Sequence, residues 1–143
     1  MRVVIDTNVI ISALLSDRSL PAHLITLWRQ NRLELLIADA QLDEIRRVTR
    51  YPKIRERLSP ALAGRLVNEL RQVATLVSDL PSVTACSDPN DNYLLAMIEA
   101  GRADFLITGD KADLLVMLRH AGARIVTVRQ FLEIASMTPG DIG

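Results

Sequence analysis

Short apolar runs alternate along this chain with longer stretches in which apolar residues recur every three or four positions. The first run, Val3, Val4 and Ile5, is β-branched and brief, which predicts a strand buried on both faces. It ends abruptly in Asp6. Thr7 and Asn8 then stand where a helix cap belongs, ahead of Val9, Ile10, Ile11, Ala13 and Leu14. After a polar break at 16–19, Pro21 suits the first turn of a second helix, striped by Leu24, Ile25, Leu27 and Trp28 and running to about Asn31. Residues 33–38 form the second strand candidate. Asp39 is placed to cap a helix through Leu42, Ile45 and Val48, and Pro52 interrupts it. Ser59 and Pro60 open another helix on Leu62, Leu66, Leu70 and Val73, while 73–77 read either as its end or as a short strand. A helix on Leu94, Leu95 and Ile98 follows Asp91 and stops at Gly101. A buried strand spans 103–107, with Thr108, Gly109 and Asp110 at its mouth and Gly109 allowing a tight turn. The pattern then predicts a helix through Leu114, Leu115 and Leu118 to near Gly122, a strand at 124–128 and a helix at 129–135. Such alternation predicts an α/β fold, with a parallel sheet of about five strands between two helical layers. One domain, 1–136, is expected, with a frayed tail at 137–143.

Composition narrows the classes. With 143 residues, 49% of them hydrophobic, the chain has material for one core, and aliphatic side chains must fill it because aromatics are only 3%. Seventeen basic and seventeen acidic residues cancel, so only the distribution of charge is informative. A sole cysteine, Cys86, excludes an internal disulfide and a Cys-rich zinc site, and two histidines, His23 and His120, are too few for a histidine metal cluster. No apolar run reaches the length of a membrane span, and the amino terminus does not read as a signal peptide. A soluble cytoplasmic protein is the expectation.

The chemistry lies in four acids. Asp6 and Asp110 end or follow strands at the carboxyl edge of the sheet, where α/β folds place their ligands. Glu44 borders the apolar stripe of its helix, and Asp91 sits at the core-facing first turn of another. Four converging carboxylates repel one another unless a cation neutralises them. Oxygen-rich sets of this kind suit magnesium or manganese. No serine–histidine or cysteine–histidine pair offers a nucleophile, and no Gly-rich phosphate loop has the right spacing. Metal-dependent hydrolysis of a phosphodiester is the reading these residue types support. A basic arm begins one turn after Glu44: six cations against one acid, Glu56, fall between 46 and 57. Arg46, Arg47, Arg50, Lys53 and Arg55 are expected to hold substrate phosphates beside the site.

Taken together, VVIDTNV at 3–9, Glu44, DPNDNYLLA at 88–96 and FLITGDKADLL at 105–115 resemble the PIN-domain family over nearly the whole chain. The nearest branch is similar to VapC toxins of type II toxin–antitoxin systems. The resemblance implies a five-stranded parallel sheet and magnesium- or manganese-dependent ribonuclease activity. It also implies a homodimer and inhibition by a small antitoxin protein lying over the site. It carries catalytic and metal-holding roles onto Asp6, Glu44, Asp91 and Asp110, and supporting polar roles onto Thr7, Asn8 and Thr108. One departure stands out. Where many members have an acid two residues after the fourth, this chain has Ala112, and Asp113 comes one later. Asp113 is therefore expected to be secondary, its charge favouring the amino terminus of the helix it opens. Two other readings compete: a degenerate PIN scaffold that binds RNA without cutting, and a receiver-like phosphoacceptor domain. The second usually carries a lysine at its last strand, and 126–128 has none.

Overall fold

The computed structural model describes residues 1–109 and 111–136. Asp110 and the expected tail at 137–143 lie outside the described residues. The elements in chain order begin with β1 (Arg2–Ile5), α1 (Thr7–Leu15), α2 (Leu20–Arg29), β2 (Glu34–Ile37) and α3 (Asp39–Val48). Next come α4 (Pro52–Arg55), α5 (Pro60–Val73), β3 (Thr75–Leu76), a 3-10 turn at Pro89–Asp91 and α6 (Asn92–Gly101). The chain continues with β4 (Phe105–Thr108), α7 (Ala112–Leu115), β5 (Arg119–His120), β6 (Ala123–Thr127) and α8 (Val128–Ser136). The strands form one sheet of order β3-β2-β1-β4-β6-β5. All neighbours are parallel except β5, which pairs antiparallel with β6.

Side chains alternate between two cores, as the pleat requires. Val3, Ile5, Leu35, Ile37, Phe105 and Ile107 face the layer that includes α1, α2, α3, α5 and α8. Val4, Leu36, Leu106 and Ile125 face α6 and α7. From β1 the chain moves outward through β2 to β3, then returns past β1 to β4 and outward the other way. The strand order therefore reverses between β1 and β4, and the crevice at their carboxyl ends is where such sheets bind ligands. Among the described residues, no helix is long and apolar enough to cross a membrane.

Several expectations are corrected. The sheet has six strands, because 73–77 supply both the end of α5 and β3, and because a short hairpin adds β5. The helix expected to run to Gly122 ends at Leu115. Ala121 and Gly122, both with positive φ (47° and 88°), form the two-residue loop of the β5–β6 hairpin. Leu118, expected in an apolar stripe, is exposed. Asp39 is the first residue of α3 rather than its cap, which is Ala38 without a side-chain bond. The cap of α1 is Asp6 itself, whose Oδ1 lies 3.4 Å from the Asn8 amide. Gly109 does not adopt a left-handed φ, and a Cβ there would meet no atom within 4 Å, so the turn does not depend on glycine.

Candidate active site

Strand register builds the centre of the site. Ile5 pairs with Ile107, so Asp6 and Thr108 leave β1 and β4 at the same level. The Thr108 hydroxyl donates to Asp6 Oδ2 at 2.8 Å, inside the protein. The Asp6 amide donates to the Ile107 carbonyl at 2.9 Å and fixes the exit of the strand. Asp91 arrives from the other helical layer. Asp88 caps the 3-10 turn by accepting from the Asn90 amide at 3.0 Å, which turns Asp91 inward ahead of α6. Asp6 and Asp91 are 1% and 3% exposed, and burial at that level makes an unneutralised carboxylate costly.

The neutralising cation is Lys111, in the segment joining β4 to α7. Its Nζ donates to Asp91 Oδ1 at 2.7 Å and lies 3.8 Å from Asp6 Oδ2. Burial opposes the charge on Lys111, but hydrogen bonding to Asp91 and the charges of Asp6, Asp91 and Glu44 outweigh it and hold the ammonium above the ordinary lysine range. Burial pushes the Asp91 carboxyl up to about 6; Lys111 restrains that rise and Asp113 adds to it. Asp91 Oδ2 is buried with no hydrogen-bond partner. A lone pair left bare beside a second buried carboxylate is an acceptor set that a hard cation fits.

Around this pair lie the other candidates. Glu44, half-buried on α3, is near enough for its charge to act on Lys111 and on the Tyr93 phenol. The Thr7 hydroxyl and the Tyr93 hydroxyl share a hydrogen bond of 3.1 Å, and burial pushes the phenol upward. Asn8 is exposed at the first turn of α1. Asp113 is more than a helix-end charge. Its Oδ2 accepts from the Cys86 thiol at 3.2 Å, and Asp91, Asp113 and Cys86 present ligand atoms within 4.8 Å of one another. Burial and Asp113 push the Cys86 thiol up, so it is a neutral donor.

Three participants give little sign of themselves in the sequence. Lys111 stands directly after Asp110 but belongs to no periodic pattern. Gln41 is fully buried, and its Nε2 donates to the Ile5 carbonyl at 2.6 Å, tying α3 to the end of β1. The only hint is a polar residue one position before Leu42 in the apolar stripe. Tyr93 reads simply as the start of a helix.

Part of the basic arm lines a single groove. Arg46, Arg50 and Arg55 line a groove of about 350 Å³ against Ala63 and Val67 of α5. Arg46 is two residues from Glu44, roughly 200° around the helix. Arg47 and Lys53 are exposed and outside that groove. Trp28, an aromatic that could in principle stack on a base, is packed in the core.

Comparison with known proteins agrees with this geometry. The family model described as PIN domain matches residues 2–112. A protein of Methanocaldococcus jannaschii, described as uncharacterized, is 25% identical over 142 residues, covering 93% of this chain and 90% of that protein. No solved structure matches the chain significantly. With the model spanning most of the chain and two buried carboxylates at the reversal point of a parallel sheet, the chain belongs to the PIN domain family, whose members are generally nucleases and typically use divalent metals.

Proposed function

We propose that this protein is a metal-dependent endoribonuclease and the toxin of a toxin–antitoxin pair, restrained by a small antitoxin protein. The observation that carries the nuclease reading is the buried Asp6–Asp91 pair with one bare oxygen, Asp91 Oδ2. Asp6 and Asp91 would hold a magnesium or manganese ion, with Glu44 at the near side of α3 and Asp113 beside Asp91. Asp110 joins the proposed set on its sequence position alone. When bound, the ion supplies charge neutralisation at the phosphate and a more acidic water. The chain's own residues do the positioning. Thr108 fixes the rotation of Asp6, Gln41 anchors the strand end, and the Thr7–Tyr93 bond closes the space between α1 and α6. The toxin reading rests on the resemblance of the sequence motifs.

Cleavage of a labelled single-stranded RNA with manganese, and its loss with EDTA, tests the reading. Asp6→Asn keeps shape and removes charge, so the rate should drop by at least ~100-fold. Full cleavage by Asp6→Asn would overturn it. Growth arrest on expression, relieved by the product of an adjoining small gene, tests the toxin role.

A further inference from the structure

We propose that Lys111 is a built-in place-holder for the metal, holding Asp6 and Asp91 together in the metal-free protein and withdrawing when a divalent cation enters. The proposal rests on the reading of the site as a metal centre. Asp6 and Asp91 come from separate elements, the end of β1 and the turn before α6, and both are buried. Two such charges repel one another, and a cation reaching both offsets that repulsion. The Lys111 ammonium meets that need by reaching both, 2.7 Å from one carboxylate and 3.8 Å from the other. It meets it incompletely. One positive charge faces two buried acids, and Asp91 Oδ2 stays unpaired. A divalent ion brings twice the charge and can use that oxygen. The lysine also has a way out, since its side chain is 30% exposed and its backbone lies in the segment ahead of α7 rather than within a helix. A cation that leaves on loading competes with the metal for the same oxygens. Lys111 therefore lowers metal affinity and sets the concentration at which the site fills.

Titration calorimetry with manganese, together with melting curves in EDTA, tests this. Lys111→Met keeps the apolar stem and removes the charge. It should bind manganese at least tenfold more tightly than the wild type, melt lower in EDTA, and recover its melting temperature on adding manganese. Lys111→Arg keeps the charge and should bind manganese within about threefold of the wild type. Mere structural damage would weaken metal binding, not tighten it. Equal or weaker binding by Lys111→Met overturns the proposal, because the lysine would then be a permanent partner of Asp91 rather than a competitor. If neither wild type nor variant binds manganese, the metal-site reading itself fails, which is a different result. Should Lys111→Met not fold, Lys111→Gln is measured in the same way against the same outcomes.

Discussion

Thr108 shows what a single hydroxyl does at the mouth of a buried strand. It supplies a buried donor to Asp6 Oδ2, while the Lys111 ammonium stands farther from that atom, at 3.8 Å. Thr108→Val keeps the β-branched shape and removes the bond. A hydrogen bond to a charged group contributes roughly 1.5–3 kcal/mol, so urea unfolding in EDTA should show a loss of that order; an unchanged midpoint would mean that Asp6 finds another donor. Asp91 and Asp113 invite a paired test. Asp91→Asn should nearly abolish manganese binding, and Asp113→Asn should weaken it less, because Asp113 is partly exposed and already occupied by the Cys86 thiol. The reverse order would make the shifted acid the principal ligand. At this scale, legibility follows periodicity. Asp6 and Asp91 can be placed from sequence because an apolar run or stripe beside each fixes where its carboxylate emerges. Lys111 and Gln41 cannot, because a single polar residue in a loop or on a helix face announces no partner until the fold brings one to it.

Helix ends carry a second set of consequences. Gly101 reads in the sequence as a stop signal, but the left-handed residue at the end of α6 is Arg102, with φ of 52°. Gly101 serves packing instead. A Cβ there would lie 2.6 Å from Leu36 Cδ1 and 2.8 Å from Val77 Cγ1, both in buried residues. Gly101→Ala should therefore destabilise by about 1–3 kcal/mol, the usual range for overfilling a core. Arg102→Gly should stabilise by about 1 kcal/mol by relieving the left-handed strain. Thermal melts of the two variants should move in opposite directions, and a shift of the same sign in both would contradict the assignment. The strand–helix alternation is readable because each element has its own period of apolar residues. The α7–β5 region is not, because Leu114, Leu115 and Leu118 mimic a helical stripe over a span where the chain in fact turns. The turn residues, Ala121 and Gly122, lack the asparagine or aspartate that would flag a hairpin.

Across the whole molecule, the acids and the cations of 46–57 gather in different places. The acids collect in the crevice at the carboxyl ends of β1 and β4. The cations of 46–57 divide, with Arg46 and Arg47 on α3 and the others beyond its end. Arg47 follows Glu44 by three residues and so shares its side of the helix, while Arg46 and Arg50 turn toward α5 and join Arg55 in a separate groove. If RNA is the substrate, only a strand long enough to reach both regions would engage the groove as well as the crevice. A short oligonucleotide lying in the crevice would meet Arg47 and leave the groove empty. Replacing Arg50 and Arg55 with Gln should then weaken binding of long RNA, lowering the log–log salt slope by about 0.7 for each phosphate no longer neutralised. Cleavage of a short oligonucleotide should be little affected by the same pair of changes. Arg47→Gln should slow the cleavage of short and long substrates alike. Equal losses on short and long RNA for the Arg50/Arg55 variant would mean that the groove and the crevice act as one surface. No loss on either would leave the groove to some ligand other than the substrate backbone.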